Sequence, residues 1–182
     1  MMSNSSDKAG WLTSVTPDPE YDNALEHILS CWVCGVSGLP DDKVRSRWTS
    51  AQLPPVLADD DGCDFDITDF ISDVSPVFKD QTDESVKLWR HEEIVCLIFF
   101  YGPNCQRYGA RFRDGLAVGQ NNDELERFGL SVDKSSWLIS LPKLINNQRV
   151  RRYGMTITLR RKVVREYGVK SLVEAPVKFF GD

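Results

Sequence analysis

The most demanding feature of this 182-residue chain is a long run of alternation in its last third. Tyr153, Met155, Ile157 and Leu159 alternate with Gly154, Thr156, Thr158 and Arg160. A weaker alternation continues through Val163 and Tyr167, with Arg161 and Arg165 between them. Side chains on a strand point to opposite faces with a period of two, so the pattern predicts one strand from about 151 to 167. At ~3.3 Å per residue it reaches ~55 Å, roughly three times a typical strand. Its first half has a core-facing row, whereas its second half carries arginines to both faces. Such a strand is expected to outrun its own domain and meet something else, most simply a neighbouring copy of the chain.

A second segment fixes where the sheet is deepest. Glu93 to Tyr101 reads Glu-Ile-Val-Cys-Leu-Ile-Phe-Phe-Tyr, apolar on both faces, which predicts a central strand covered on each side. Shorter strands are expected at Val44–Trp48, at Cys63–Ile71, through Val77 and Phe78, and at Trp137–Leu141. Helices interrupt them. Asp18-Pro19-Glu20 offers a capping carboxylate and a first-turn proline, followed by a helical stripe of Tyr21, Leu25, Ile28, Leu29, Trp32, Val33 and Val36 that stops at Gly38-Leu39-Pro40. Further helices are expected from Asn104 to about Val118 and from about Asn122 to Phe128. The fold class is therefore α+β: a mainly antiparallel sheet with two or three helices packed on it and a long β-arm. Trp32, Phe99 and Tyr153 are expected to be mostly buried.

The residue mix is that of an ordinary soluble domain, with 41% hydrophobic and 27% charged residues. No apolar run approaches the ~18 residues of a membrane span. Residues 1–17 read as a disordered leader without a secretory pattern, residues 18–172 as one domain, and residues 173–182 as a C-terminal extension. Five cysteines, an odd number at low density, fit free thiols in a reducing cytoplasm. Charge is divided unevenly: residues 1–91 hold 17 acids against 7 bases, residues 92–182 hold 10 against 15. Copies of such a chain can attract head to side, or the basic half can face nucleic acid.

Most candidate chemistry fails on spacing. His27, Cys31 and Cys34 share a helical face, but no second CxxC or HxxxH pair completes a structural zinc site, so small side chains on a helix is the better reading. Aligning Gly62 with the sixth position of a calcium loop puts Leu57 and Thr68 where acids are required, so Asp59-Asp60-Asp61 reads as a solvated turn. His91-Glu92-Glu93 reads as charged residues leading into a buried strand, and no phosphate loop or nucleophile elbow is present. No catalytic, cofactor or metal residue is assigned. The basic series Lys143, Arg149, Arg151, Arg152, Arg160, Arg161, Lys162 and Arg165 is the strongest signal left. It fits an interface with an acidic neighbour better than DNA, because no nucleic-acid-binding motif accompanies it. Phe179 and Phe180 add an apolar chain end that needs a partner surface. The candidate interface is thus Arg151, Arg152, Arg160, Arg161, Lys162, Arg165, Phe179 and Phe180.

Four ordered blocks carry a family resemblance. They are Tyr21-Asp22-Asn23-Ala24-Leu25 with Trp32-Val33 and Gly38-Leu39-Pro40; Val44-Arg45-Ser46-Arg47-Trp48 with Pro54-Pro55 and Cys63-Asp64-Phe65; His91-Glu92-Glu93-Ile94 leading to Phe100-Tyr101-Gly102-Pro103-Asn104 and Arg113-Asp114-Gly115-Leu116; and Asn146-Asn147-Gln148, Arg151-Arg152-Tyr153, Arg160-Arg161-Lys162-Val163 and Arg165-Glu166-Tyr167. Over about residues 20–170 the chain resembles the neck or tail terminator (tail completion) proteins of tailed bacteriophages. The resemblance implies a tail-terminator-like fold and a structural, non-enzymatic virion protein. It implies a hexameric ring between the head-side connector and the tail tube, with tube, connector and sheath proteins as partners. It also implies location in the virion neck, host cytoplasm during assembly, and DNA passing through the ring without specific binding or membrane contact. A small nucleic-acid- or protein-binding regulator is the alternative from another class.

Overall fold

A computed structural model of the chain describes residues 5–47, 60–145 and 147–170. Phe179, Phe180 and the rest of the expected C-terminal extension lie outside the described residues. The described chain holds three α-helices and a mixed, mostly antiparallel sheet: α1 Asp22–Ser37, β1 Val44–Ser46, β2 Gly62–Ser72, β3 Val77–Lys79, β4 Val86–Tyr101, α2 Cys105–Gly115, α3 Gly119–Glu126, β5 Leu130–Ser135, β6 Ile139–Ser140, β7 Lys143–Ile145, β8 Gln148–Val150 and β9 Arg152–Tyr167. The sheet runs β1-β2-β4-β9-β5, with β3 also on β4 and β6 also on β9; β7 and β8 form a separate hairpin. The α+β expectation holds, and so does the long strand near the end.

The chain divides into two compact units: Glu20–Ser72 with Glu92–Arg161, and Met1–Pro19 with Asp73–His91 and Lys162–Asp182. In the larger unit the helices cover one face of the sheet. Leu25, Leu29 and Val33 of α1 and Phe112 of α2 are buried against Phe65, Ile98, Phe100, Ile157 and Leu159 of the strands. Trp32 meets Phe112 edge-on at 5.1 Å, and Phe112 meets Phe100 at 5.7 Å, so aromatic packing ties both helices to the central strand. Gly109 lets α2 come close: a Cβ there would stand 3.0 Å from Leu138 and 3.3 Å from Phe100. Helix α1 stops where the backbone turns left-handed at Gly38 (φ 77°), whose N–H donates to the Cys34 carbonyl.

Several boundaries differ from the sequence expectation. Helix α1 starts at Asp22, not near Asp18, so Asp18-Pro19 does not cap it. Helix α2 ends at Gly115, because Asn121 and Asn122 of α3 donate side-chain N–H groups to the Gly115 and Leu116 carbonyls at 2.9 and 3.1 Å. The Trp137–Leu141 strand narrows to Ile139–Ser140, and β5 is an unexpected addition. Phe99 is buried (8% exposed) but on the sheet face opposite the helices, and Tyr153 is only partly buried against the core.

In the smaller unit β3 pairs with the first part of β4, Val77 opposite Trp89 and Lys79 opposite Lys87. The second part of β9 is held by the N-terminal segment: Val15 N–H donates to the Glu166 carbonyl at 2.9 Å, and Thr16 Oγ1 donates to the Val164 carbonyl at 3.3 Å.

Candidate functional site

Strand register sorts the sheet residues of the larger unit into two faces. Val44 sits beside Cys63, and Cys63 opposite Phe100, on the helix-covered face. Arg45 sits beside Asp64, and Asp64 opposite Phe99, on the other. That second face is a charged platform around one ring. The Arg47 and Arg152 guanidinium carbons lie 4.7 and 4.3 Å from the Phe99 centroid, and Arg152 Nε donates to the Leu141 carbonyl at 3.2 Å. Gly154 makes room, since a Cβ there would stand 2.7 Å from the Phe99 ring. Burial pushes the Asp64 carboxyl above its usual value, against the opposing pull of Arg47, Arg45, Lys143 and Arg152. Burial, reinforced by the like charge of Arg47, lowers Arg152. This platform can hold an acidic or hydrogen-bond-accepting partner surface.

The predicted interface residues meet different fates. Arg151 is exposed. Arg160 is exposed with Nη2 3.4 Å from Glu93. Arg161 is 3% exposed: Nε donates to Glu92 at 2.9 Å, Nη1 to the Glu20 carbonyl at 2.6 Å, and the guanidinium lies 4.2 Å over Tyr21. The expectation that Arg161 stands free on an arm is thus corrected, because it continues the buried row of Met155, Ile157 and Leu159. In the smaller unit Lys162 is exposed with Nζ 4.0 Å over the Trp89 ring, and Arg165 pairs with Asp18. The last part of β9 therefore finds partners within its own chain as well as offering exposed charge.

Sequence reasoning did not place Arg47 over the Phe99 ring; the alternation of Val44-Arg45-Ser46-Arg47 was the available signal. It also missed an exposed apolar row. Trp137 (83%), Ile139 and Leu141 lie in the open at every second position, while Leu138 between them packs inward on α2. The rejected constellations are each partnered otherwise. Cys34 is buried, whereas Cys31 is exposed with Sγ 3.2 Å from His27 Nδ1. Asp60 pairs with Lys43 at 2.6 Å, and Asp61 accepts the Asn104 N–H at 2.7 Å at the start of α2. His91 contacts Asp73 at 3.3 Å. Among the described residues no three His, Cys, Asp or Glu side chains are grouped to hold a metal, and no helix is long and apolar enough to cross a membrane.

A search of curated proteins found no match. A family model described as phage neck terminator protein matches residues 23–182, nearly the whole chain. That span contains every sheet strand and helix that builds the platform, together with the basic residues on it, and supports a structural phage neck protein. The chain belongs to the phage neck terminator protein family.

Proposed function

We propose that copies of this chain form a hexameric ring that terminates the tail tube and joins it to the head-side connector of a tailed phage. The observation that carries this reading is the family match over residues 23–182. A closed ring above twofold needs two different, complementary faces on each subunit, and the unequal division of acids and bases between the two halves of the chain supports that need. In this reading residues 18–172 act as the ring-forming body, with residues 1–17 and 173–182 as its extensions. Arg151, Arg152, Arg160, Lys162 and Arg165, with Phe179 and Phe180, contact neighbouring copies, tube or connector, and Arg161 holds the strand that presents them. The ring has no catalytic role, sits in the virion neck after assembly in host cytoplasm, and lets DNA pass without reading its sequence. The test is a phage carrying Arg160→Glu and Arg165→Glu, both outside the buried core. The expected lysate contains tailless heads beside free tails, while the purified variant melts like the wild type. Normal infectious particles, or purified wild-type particles with no ring density between head and tube, would overturn the proposal.

A further inference from the structure

We infer that the apolar groove between α1 and α3 is the socket for the Trp137–Arg151 edge of a neighbouring copy, a reading that rests on the ring proposed above. The groove has a volume of about 590 Å³ and is lined by Ala24, Ile28, Trp32, Val36, Leu125 and Phe128. Phe128 is half exposed, and the buried indole N–H of Trp32 has no acceptor among the described residues. Such a volume suits one or two large side chains. Its rim is acidic on balance: Glu20 and Glu124 line it, and α1 and α3 together carry Asp22, Glu26, Asp123, Glu124 and Glu126 without one lysine or arginine, although Arg127, just after α3, pairs with Glu124 at 2.9 Å.

The complementary surface lies on the same unit. Residues 137–151 contain Lys143, Arg149 and Arg151 and no acid. They expose Trp137 at 83%, Leu144 at 63% and Ile139 at 52%. Asn147, at φ 61°, turns the β7–β8 hairpin so that Leu144 and Arg149 are paired across it. Large apolar side chains beside basic ones thus stand against an apolar groove beside acids. Leu138 packs toward α2, so Trp137 and Ile139, its neighbours in alternation, point to the side away from α2. In the ring the contact is made with another copy, groove to edge. That is a heterologous contact, and repeated around an axis it closes a ring. Charge complementarity sets which edge enters which groove, and the apolar side chains supply the buried area.

Cys31 lines this groove and is the exposed one among the described cysteines, so it reports on the contact directly. The full chain carrying Leu144→Cys is supplied to a phage lacking its own copy, and purified particles are treated with copper phenanthroline. A ladder of disulfide-linked multimers is expected, ending near six copies of 20.7 kDa, or roughly 124 kDa, and Cys31→Ser should abolish it. Two charge reversals provide an independent arm. Glu20→Lys with Glu124→Lys, or Arg149→Glu with Arg151→Glu, should each lower ring incorporation about tenfold or more, and all four together should restore it. Particles that contain the chain but give no ladder, with reversals that change nothing, would overturn the groove contact while leaving the ring standing. A crosslink from Cys31 to the tube protein would assign the groove to that partner and equally overturn it. Absence of the wild-type chain from particles would remove the ring and this contact together.

Discussion

The Arg161–Glu92 pair offers the sharpest test of the fold. Arg161 is 3% exposed, its Nε lies 2.9 Å from Glu92, and a second nitrogen donates to the Glu20 carbonyl at 2.6 Å. Arg161→Met keeps the apolar bulk but removes the cation from Glu92, leaving the Tyr21 hydroxyl at 3.2 Å as its hydrogen-bond donor in a site with little water. Breaking a buried pair from one side costs ~3–5 kcal/mol. The lost bond to Glu20 and the lost cation over Tyr21 are parts of the same change and overlap with that figure instead of adding to it. Against a typical stability of ~5–15 kcal/mol, this is about a fifth of the total or more. In urea unfolding followed by tryptophan fluorescence, the midpoint should fall by roughly 2 M for a slope near ~2 kcal/mol per molar. Arg161→Met with Glu92→Met should recover most of the loss, since buried pairs are often matched by apolar substitutes. One feature favours that recovery: Arg161 Nη2 is buried with no acceptor among the described residues. A single mutant within ~1 kcal/mol of wild type would refute the view that this pair is sealed and structural.

Further expectations follow from the same geometry. Phe112→Ala, at the junction of α1, α2 and β4, should cost ~3–5 kcal/mol in the same assay, and a wild-type melting curve would displace the core from where it is drawn. Gly154→Ala forces a Cβ against the Phe99 ring, so it should destabilise the protein, and Phe99→Leu in the same chain should recover part of the loss. Burial raises the Asp64 carboxyl, so the folded chain holds a proton there that the unfolded chain has already released; wild-type stability is lost as pH rises from the ordinary aspartate value toward the folded one. Asp64→Asn should therefore gain on wild type as pH goes from about 3 to about 6, and a gain that shrinks instead would mean the surrounding arginines outweigh burial. A mobility-shift assay at physiological salt should show no tight, sequence-specific DNA binding; a steep salt slope with tight binding would favour a nucleic-acid regulator.

Legibility in the sequence followed the range of the interactions. The period-two row of Tyr153 to Leu159 needs only neighbours along the strand, and it appeared as β9 with nearly the expected ends. The stop of α1 at Gly38 is equally local. Its start was misread because Asp18-Pro19 has the form of a cap, yet Asp18 is taken by Arg165, 147 residues away. The same limit hid Arg161, whose partner Glu92 is 69 residues distant. Its parity with Met155 and Leu159 was visible, but charge argued for solvent, and only the partner decides between them. Strand β4 was seen from Glu93 on and in fact begins at Val86, since Lys87, Arg90 and His91 masked its first part. Strand β5 went unseen because Asp133 and Lys134 interrupt its alternation where the register shifts against β9. The platform around Phe99 was half legible: its strands were placed, but which arginines meet over the ring depends on strand order, which no single segment encodes.

The order of strands also sets a schedule for making this protein. Strand β2 pairs with β4 from Gly62 to Tyr101, so that pair can close as soon as both have left the ribosome. The other edge of β4 must wait for β9, which begins 51 residues after β4 ends. At ~5–20 residues per second, that edge stays unpaired for roughly 3–10 s in every nascent chain. Strand β4 carries Ile94, Cys96, Ile98 and Phe100 on one face, and the unpaired edge of such an apolar strand is a template for pairing with another chain. Yield of the folded protein should therefore respond to synthesis rate and crowding more than to final stability. Slower initiation or chaperone supply should raise the soluble fraction, whereas a slow codon run placed between Tyr101 and Arg152 should lower it.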